Sequence, residues 1–252
     1  MTARPFREMG SDLARRIRLI VSDVDGTLTA EDDTVSQAAV EAMRRLEEDG
    51  VVVGLASGRA MPRVDSVAAR AEITGPLIGE NGAIARLRRE GALVDLGYSR
   101  EPALRALERL KQAYPGAIRE TEDDRLRLVD VGIKVRGIAT SDLMEHLQDV
   151  ELLDSGYMLH LLQKGVSKGN TLVALLGMMG ERNLALENVM VFGDSTTDLS
   201  LFKRFTHSVL VVNPRLPASE VQALERVAQY ESELSMGEGF AQVVNHLLKV
   251  RH

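Results

Sequence analysis

Short apolar runs closed by turn residues alternate with amphipathic stretches along much of this chain. Ile17–Val21 is rich in branched residues and stops abruptly at Ser22-Asp23-Val24-Asp25-Gly26-Thr27, a pattern that predicts a buried strand. Ser36 then offers an N-cap to a helix whose apolar positions are Ala39, Val40, Met43 and Leu46, with Gly50 at its end. Val51–Ala56 predicts a second strand, followed by the loop Ser57-Gly58-Arg59, a helix from Pro62 and a short strand at Leu77–Ile78. Strands and helices in this order predict a parallel sheet with right-handed crossovers.

The alternation breaks from Ile84 to Leu162. This stretch predicts a hairpin (Ile84–Leu87 and Ala92–Leu96), a helix over Pro102–Ala113 and a strand near Leu126–Val135. A short helix from Ser141 and strands at Asp149–Leu153 and Tyr157–Leu162 follow. After Gly165 the regular order returns: a helix over Lys168–Gly180, a strand at Val189–Phe192, the turn Gly193–Asp198 and a helix to Phe202. A strand at Ser208–Val212 and helices near Ala218–Ala228 and Phe240–Leu248 complete it. The expected fold class is α/β, a doubly wound, Rossmann-like parallel-sheet core (residues 17–83 and 163–252) with an inserted α+β cap domain (residues 84–162). Residues 1–16 are expected to be an N-terminal extension, mobile or locally helical, without chemistry.

Composition removes several function classes. A chain of 252 residues buries roughly 70–75% of its unfolded surface and needs no staples. It contains no cysteine, which excludes disulfides, thiolate metal sites and cysteine nucleophiles. The net charge is −6, and the insert carries 12 basic and 14 acidic residues, a net of −2, so nucleic acid is not an expected partner. No apolar run reaches the roughly 18 residues of a membrane span, and residues 1–16 lack a signal-peptide core. The expected setting is cytoplasmic, with no membrane partner.

In an open parallel sheet, ligands bind beyond the carboxyl ends of the strands. Those ends carry Asp23, Asp25, Ser57, Asp194 and Asp198, while Lys168 opens a core helix. Singly, each has an ordinary explanation: Asp25-Gly26 is a turn dipeptide, Asp194 or Ser195 a helix cap, Lys168 and Ser57 solvated groups. Their coincidence on one rim is harder to dismiss. Clustered carboxylates repel unless a cation neutralises them, and an oxygen-only set suits Mg²⁺. Mg²⁺ beside a lysine and a hydroxyl is equipment for a phosphoryl group. Rival motifs fail on spacing: an EF-hand from Asp23 would need Gly and Glu where Leu28 and Thr34 stand. Gly54-Leu55-Ala56-Ser57-Gly58 is not a nucleophile elbow.

Asp23-Val24-Asp25-Gly26-Thr27, Ser57, Lys168 and Gly193-Asp194-Ser195-Thr196-Thr197-Asp198 resemble the four motifs of the haloacid dehalogenase superfamily of phosphatases. The likeness spans the chain beyond residue 16, and the insert resembles the large cap of its Cof-like subgroup. Gly79-Glu80-Asn81-Gly82, Ser155–His160, Arg125-Leu126-Arg127 and Gly237-Glu238-Gly239 are similar to the archaeal-type phosphoglycolate phosphatases. One departure is Thr197, where the family usually has Asn.

The resemblance implies Asp23 as nucleophile through an aspartyl phosphate and Asp25 as acid and base, with its backbone carbonyl toward the metal. Asp194 would hold Mg²⁺ directly and Asp198 through water or as a brace. Ser57 and Lys168 would grip the phosphoryl group, and Gly26 would let loop amides approach it. The cap would choose the substrate, a small phosphorylated metabolite. Arg125 and Arg127, two apart on a strand and so sharing a face, are the candidate partners of a substrate carboxylate. His160 is open between a ligand contact and a packed histidine. A sugar-phosphate phosphatase, a phosphomutase, a receiver-like module and an inactive phosphate-binding homologue are the competing readings. The expected assembly is a monomer or homodimer.

Overall fold

The computed structural model describes residues 2–180 and 184–252. In chain order its first half comprises β1 (Arg4–Pro5), α1 (Ser11–Arg16), β2 (Leu19–Ser22), α2 (Gln37–Glu48), β3 (Val52–Ala56), α3 (Met61–Ala71), β4 (Leu77–Gly79), β5 (Ile84–Arg86), β6 (Leu93–Val94) and α4 (Glu101–Ala113). There follow β7 (Ile118–Glu120), β8 (Val131–Val135), α5 (Thr140–Leu143), β9 (Val150–Asp154), β10 (Leu159–Gln163) and α6 (Lys168–Met178). The last elements are β11 (Val189–Gly193), α7 (Leu199–Arg204), β12 (His207–Val212), α8 (Ala218–Glu225), β13 (Tyr230–Ser235) and α9 (Met236–Arg251).

Nine strands form one sheet in the order β1-β13-β12-β11-β2-β3-β4-β5-β6, and β7-β8-β10-β9 form a second. In the large sheet the strands from β1 through β4 pair in parallel, and only β5 and β6 are antiparallel. The strand order reverses at β2, which lies between β3 and β11, so the carboxyl end of β2 is the switch point at which such sheets bind ligands.

Burial on both faces explains why β2 is apolar throughout rather than alternating. Ile20 packs with residues of α1, α2, α3 and α9, whereas Leu19 and Val21 pack with α6, α7 and α8 on the opposite face. The second sheet has its own core, in which Ala103, Ala106, Leu107 and Leu110 of α4 cover Val131, Ile133, Leu159 and Leu161. The fold is a doubly wound α/β core with an inserted α+β cap.

Four local expectations need correction. The hairpin at Ile84–Val94 belongs to the large sheet, because β5 pairs with β4, so the inserted unit does not begin at residue 84. Residues 1–16 are locally helical, at Ser11–Arg16, but they are part of the core rather than an extension beyond it, although Met1 lies outside the described residues. Arg4 and Pro5 pair with β13, and Phe6, Met9, Leu13 and Ala14 are buried in the main core. Tyr230–Ser235 is a strand despite its polar look, because it runs between β12 and β1 and buries Tyr230 and Ser232. The strand expected near Leu126–Val135 is confined to Val131–Val135, and Glu122–Leu126 is a 3-10 helix.

The last difference has a clear cause in the main core. Glu80, fully buried after β4, accepts hydrogen bonds from the backbone N–H groups of Leu128 (2.8 Å), Val129 (2.8 Å) and Asp130 (2.9 Å). Those donors would otherwise serve a strand ladder. Burial pushes the Glu80 carboxyl above its ordinary value, against the pull of the three amides. Glu80→Ala would strand these donors and cost about 3 kcal/mol or more. Urea unfolding checks the cost, and hydrogen exchange at 128–130 should quicken; a loss below about 1 kcal/mol contradicts the anchor.

Candidate active site

Lys168 is the hub of the rim. It opens α6 behind an N-cap in which Ser167 Oγ accepts from the Asn170 N–H, and it is 1% exposed. Its ammonium donates to Asp23 Oδ1 at 2.5 Å, Asp198 Oδ1 at 2.7 Å and Thr197 Oγ1 at 3.2 Å. Asp23 follows β2, and no donor among the described residues reaches its second oxygen. Asp198 is braced further by the backbone N–H groups of Asp194 (3.1 Å) and Ser195 (3.2 Å) on Oδ2. Asp194 accepts from the Thr27 hydroxyl on Oδ1 and from the Asn213 amide on Oδ2, both at 2.7 Å.

The charges are unbalanced. Carboxylate oxygens of Asp23, Asp194 and Asp198 lie within 4.8 Å of one another, all buried. Three carboxylates against the single ammonium of Lys168 leave two negative charges if all are ionised. Burial, above all, pushes the Asp23 carboxyl well above the usual range; Lys168 pulls it down, while Asp198, Asp194 and Asp25 push it further up. Burial and then Asp198 raise Asp194 to about 7. Burial works against the Lys168 ammonium, yet Asp198 and Asp23 outweigh it and hold the lysine charged. An all-oxygen, electron-rich cluster short of positive charge fits a hard divalent cation such as Mg²⁺.

Gly26 is required by two constraints. Its φ is +84°, and a Cβ there would sit 2.3 Å from Asp194 Oδ2. Its own N–H is taken by Thr29 Oγ1 at 2.9 Å, so it is not among any amides free to meet a ligand. Asp25 turns away from the acid cluster into a two-point pair with Arg59, with Nη2 to Oδ1 at 2.5 Å and Nε to Oδ2 at 2.9 Å. Ser57 is fully buried at the end of β3, its Oγ accepting from the Arg59 N–H, and its neighbours Gly58 and Arg59 line the adjoining cavity.

That cavity, about 580 Å³, runs from Asp23, Lys168 and Asp194 to the cap. The cap wall separates the two candidate arginines. Arg127 lines the cavity, 4% exposed; its Nη1 donates to Asp130 Oδ2 (2.5 Å) and to the Gly58 carbonyl (2.9 Å), and among the described residues Nη2 meets only the Met158 sulfur. Arg125 is exposed in the 3-10 turn and lines nothing there. The shared strand face expected for them does not exist, because Arg125 lies in the 3-10 helix Glu122–Leu126 and Arg127 caps it, both ahead of β8. His160 is both packed and at the wall: it is 2% exposed, with Nδ1 2.7 Å from Asp130 Oδ2. At the mouth, Tyr157 of the cap, Asp33 and Arg215 close a triangle, with Arg215 Nη1 2.7 Å from the Tyr157 hydroxyl and 2.5 Å from Asp33 Oδ1.

The sequence assigns no role to Arg59, Asp130 and Asn213, and it presents Asn81 only within the motif Gly79-Glu80-Asn81-Gly82. Two of them were legible there: Arg59 directly follows Ser57-Gly58, and Asn213 directly follows a strand, each on the rim where ligands bind. Asp130 had no local signal. Thr197 keeps a polar contact at this position, its Oγ1 accepting from Lys168 at 3.2 Å and lying 2.8 Å from Ser195 Oγ.

This geometry has relatives. Residues 20–130 and 139–221 match the family of haloacid dehalogenase-like hydrolases. A phosphoglycolate phosphatase of Methanothermobacter thermautotrophicus is 30% identical over 92% of this chain and 99% of its own. One from Methanoculleus marisnigri is 33% identical over 90% of this chain and 95% of its own. Among solved structures, Thermoplasma acidophilum 0175 superposes with a TM-score of 0.80 at 27% identity, covering 92% of this chain and 98% of that one. A HAD/COF-like hydrolase of Plasmodium vivax, 17% identical, shares the fold at a TM-score of 0.75 over 97% of this chain and 98% of its own. With residues 20–130 and 139–221, most of its length, matched by one family, the chain belongs to the haloacid dehalogenase-like hydrolases.

Proposed function

We propose that this protein, a phosphatase, hydrolyses a small phosphomonoester through an aspartyl phosphate, and that phosphoglycolate is a substrate. The observation that carries the reading is the buried meeting of Asp23, Asp194 and Asp198 on one lysine. The free oxygen of Asp23 attacks phosphorus in line, an Asp23–phosphorus bond forms and the bond to the leaving oxygen breaks. Asp25 gives its proton to the departing alcohol, then takes one from the water that attacks phosphorus and releases Asp23. Lys168 offsets phosphoryl charge while keeping Asp23 oriented, with Ser57 at the same end. Asp23, Asp194 and Asp198 would hold Mg²⁺, with the Asp25 carbonyl beside them, and the ion would supply the charge the cluster lacks.

Substrate choice rests on Arg127. Its Nη2 has no oxygen partner among the described residues, which points the reading to a leaving group with a carboxylate, and the relatives named phosphoglycolate phosphatase agree with it. The cavity, about 580 Å³, exceeds what a two-carbon ester fills, and this favours a sugar phosphate as the second reading.

Three outcomes test the proposal. Asp23→Asn should lower turnover more than about 1000-fold, yet leave melting unharmed in metal-free protein, since burial already opposes the Asp23 charge. Near-normal phosphate release by this variant contradicts the mechanism.

The second outcome is a pH dependence. With Asp194 raised from 3.8 to about 7, the metal-free fold keeps a proton there that the unfolded chain releases. Its stability therefore falls as pH rises through that window. Because Mg²⁺ competes with this proton, the melting shift caused by Mg²⁺ should widen from pH 5 to about 7 and flatten above it. A shift that is constant with pH counts against the assignment.

The third concerns selectivity. Arg127→Lys, which keeps a charge beside Asp130, should lower kcat/KM for phosphoglycolate about tenfold or more. A chromogenic ester without a carboxylate should lose far less, and Arg125→Ala should change neither. Equal losses on both esters move the assignment to the sugar-phosphate reading.

A further inference from the structure

The turn after β4 carries two neighbours with opposite fates. Glu80 and Asn81 both have positive φ, +50° and +59°, a region asparagine tolerates and glutamate seldom enters. The Glu80 carboxylate is spent on the three cap amides. The Asn81 carboxamide is spent on nothing: the residue is 2% exposed, and neither Oδ1 nor Nδ2 has a hydrogen-bond partner among the described residues. A buried amide left bare is costly, and it is retained where a transient group supplies the bonds.

The surroundings say which group. Asn81 is pinned by its own N–H, which donates to the Ser57 carbonyl at 3.0 Å, and it lines the cavity with Asp23 and Lys168. Gly58 makes room for it, since a Cβ there would sit 2.9 Å from Asn81 Oδ1. The carbonyl of the same Gly58 receives Arg127 Nη1 at 2.9 Å. Asn81 from the core and Arg127 from the cap therefore flank one residue. The phosphoryl end of the cavity already has its ammonium and carboxylates, whereas the space beside Gly58 and Arg127 is where the rest of an ester would extend.

We infer that Asn81 is a binding residue for the leaving group, its carboxamide hydrogen-bonding an oxygen, carboxylate or hydroxyl, on the short alcohol that departs. The inference rests on the phosphomonoester reading above and deepens it. It makes the enzyme selective for oxygenated leaving groups over apolar ones of equal size, because only the former satisfy the bare amide.

The test compares phosphoglycolate, hydroxyethyl phosphate and the apolar isobutyl phosphate, with inorganic phosphate as an inhibitor of each enzyme. Wild type should favour the two oxygenated esters in kcat/KM by about tenfold or more. Asn81→Gly, which keeps the left-handed backbone easy, and Asn81→Ala should both lose that preference. Their losses in kcat/KM should be about tenfold or more larger on the two oxygenated esters than on isobutyl phosphate, and inhibition by phosphate should weaken far less than turnover of phosphoglycolate. A uniform loss on all three esters with weaker phosphate inhibition overturns the assignment of Asn81 while leaving the phosphatase reading intact. Wild-type enzyme indifferent to the leaving group also overturns it, without needing a variant. Failure of wild type to release phosphate from any of the three removes the function reading, and this inference with it.

Discussion

A lysine with 1% exposure, held between two carboxylates, is the constraint around which this molecule is organised. Each partner comes from a different strand end, Asp23 from β2 and Asp198 from beyond β11, and the ammonium comes from the start of α6. None could be buried alone, because an isolated charge in a low-dielectric interior is too costly. With Asp194 beside them they still fall short of neutrality, and burial first, then the neighbouring carboxylates, raises Asp23 and Asp194. The sheet's reversal at β2 brings these segments to one rim, so fold and charge cluster impose the same geometry.

A second layer of control reaches across from core to cap. Glu80 binds three cap amides, Gly58 binds Arg127, and Arg215 binds Tyr157. All three contacts border the cavity or the segment that shapes it. A cap tethered this way presents Arg127 and His160 at fixed positions, and the buried Asp130 between them keeps both heads aligned.

The parts of the fold legible in the sequence were those with strong local signals. β2, β3 and β11 are short branched runs closed by turn residues, and α2 carries its apolar stripe between Ser36 and Gly50. Asp23, Lys168, Asp194 and Asp198 could be placed together because strand ends and a helix start share one rim in a parallel sheet. The failures came where a distant partner decides. Leu126–Asp130 has the composition of a strand, but a carboxylate 48 residues or more away takes its amides. Tyr230–Ser235 lacks an apolar pattern and is a strand because β12 and β1 lie on either side. Asp130 acquires its meaning from His160, 30 residues further along the chain.

The pairing of β1 with β13 sets an order of events. Residues 4 and 5 find their strand partners at 230 and 231, the Arg251 guanidinium reaches the Ile17 carbonyl, and His246 meets the Met9 carbonyl. During synthesis the early segment must therefore wait, with Phe6, Met9 and Leu13 uncovered, until β13 and α9 have left the ribosome. Contacts this remote in sequence slow folding and prolong exposure of apolar surface. Closure of the sheet's β1 edge thus follows the making of β13 and α9, and these apolar side chains remain open to aggregation until then.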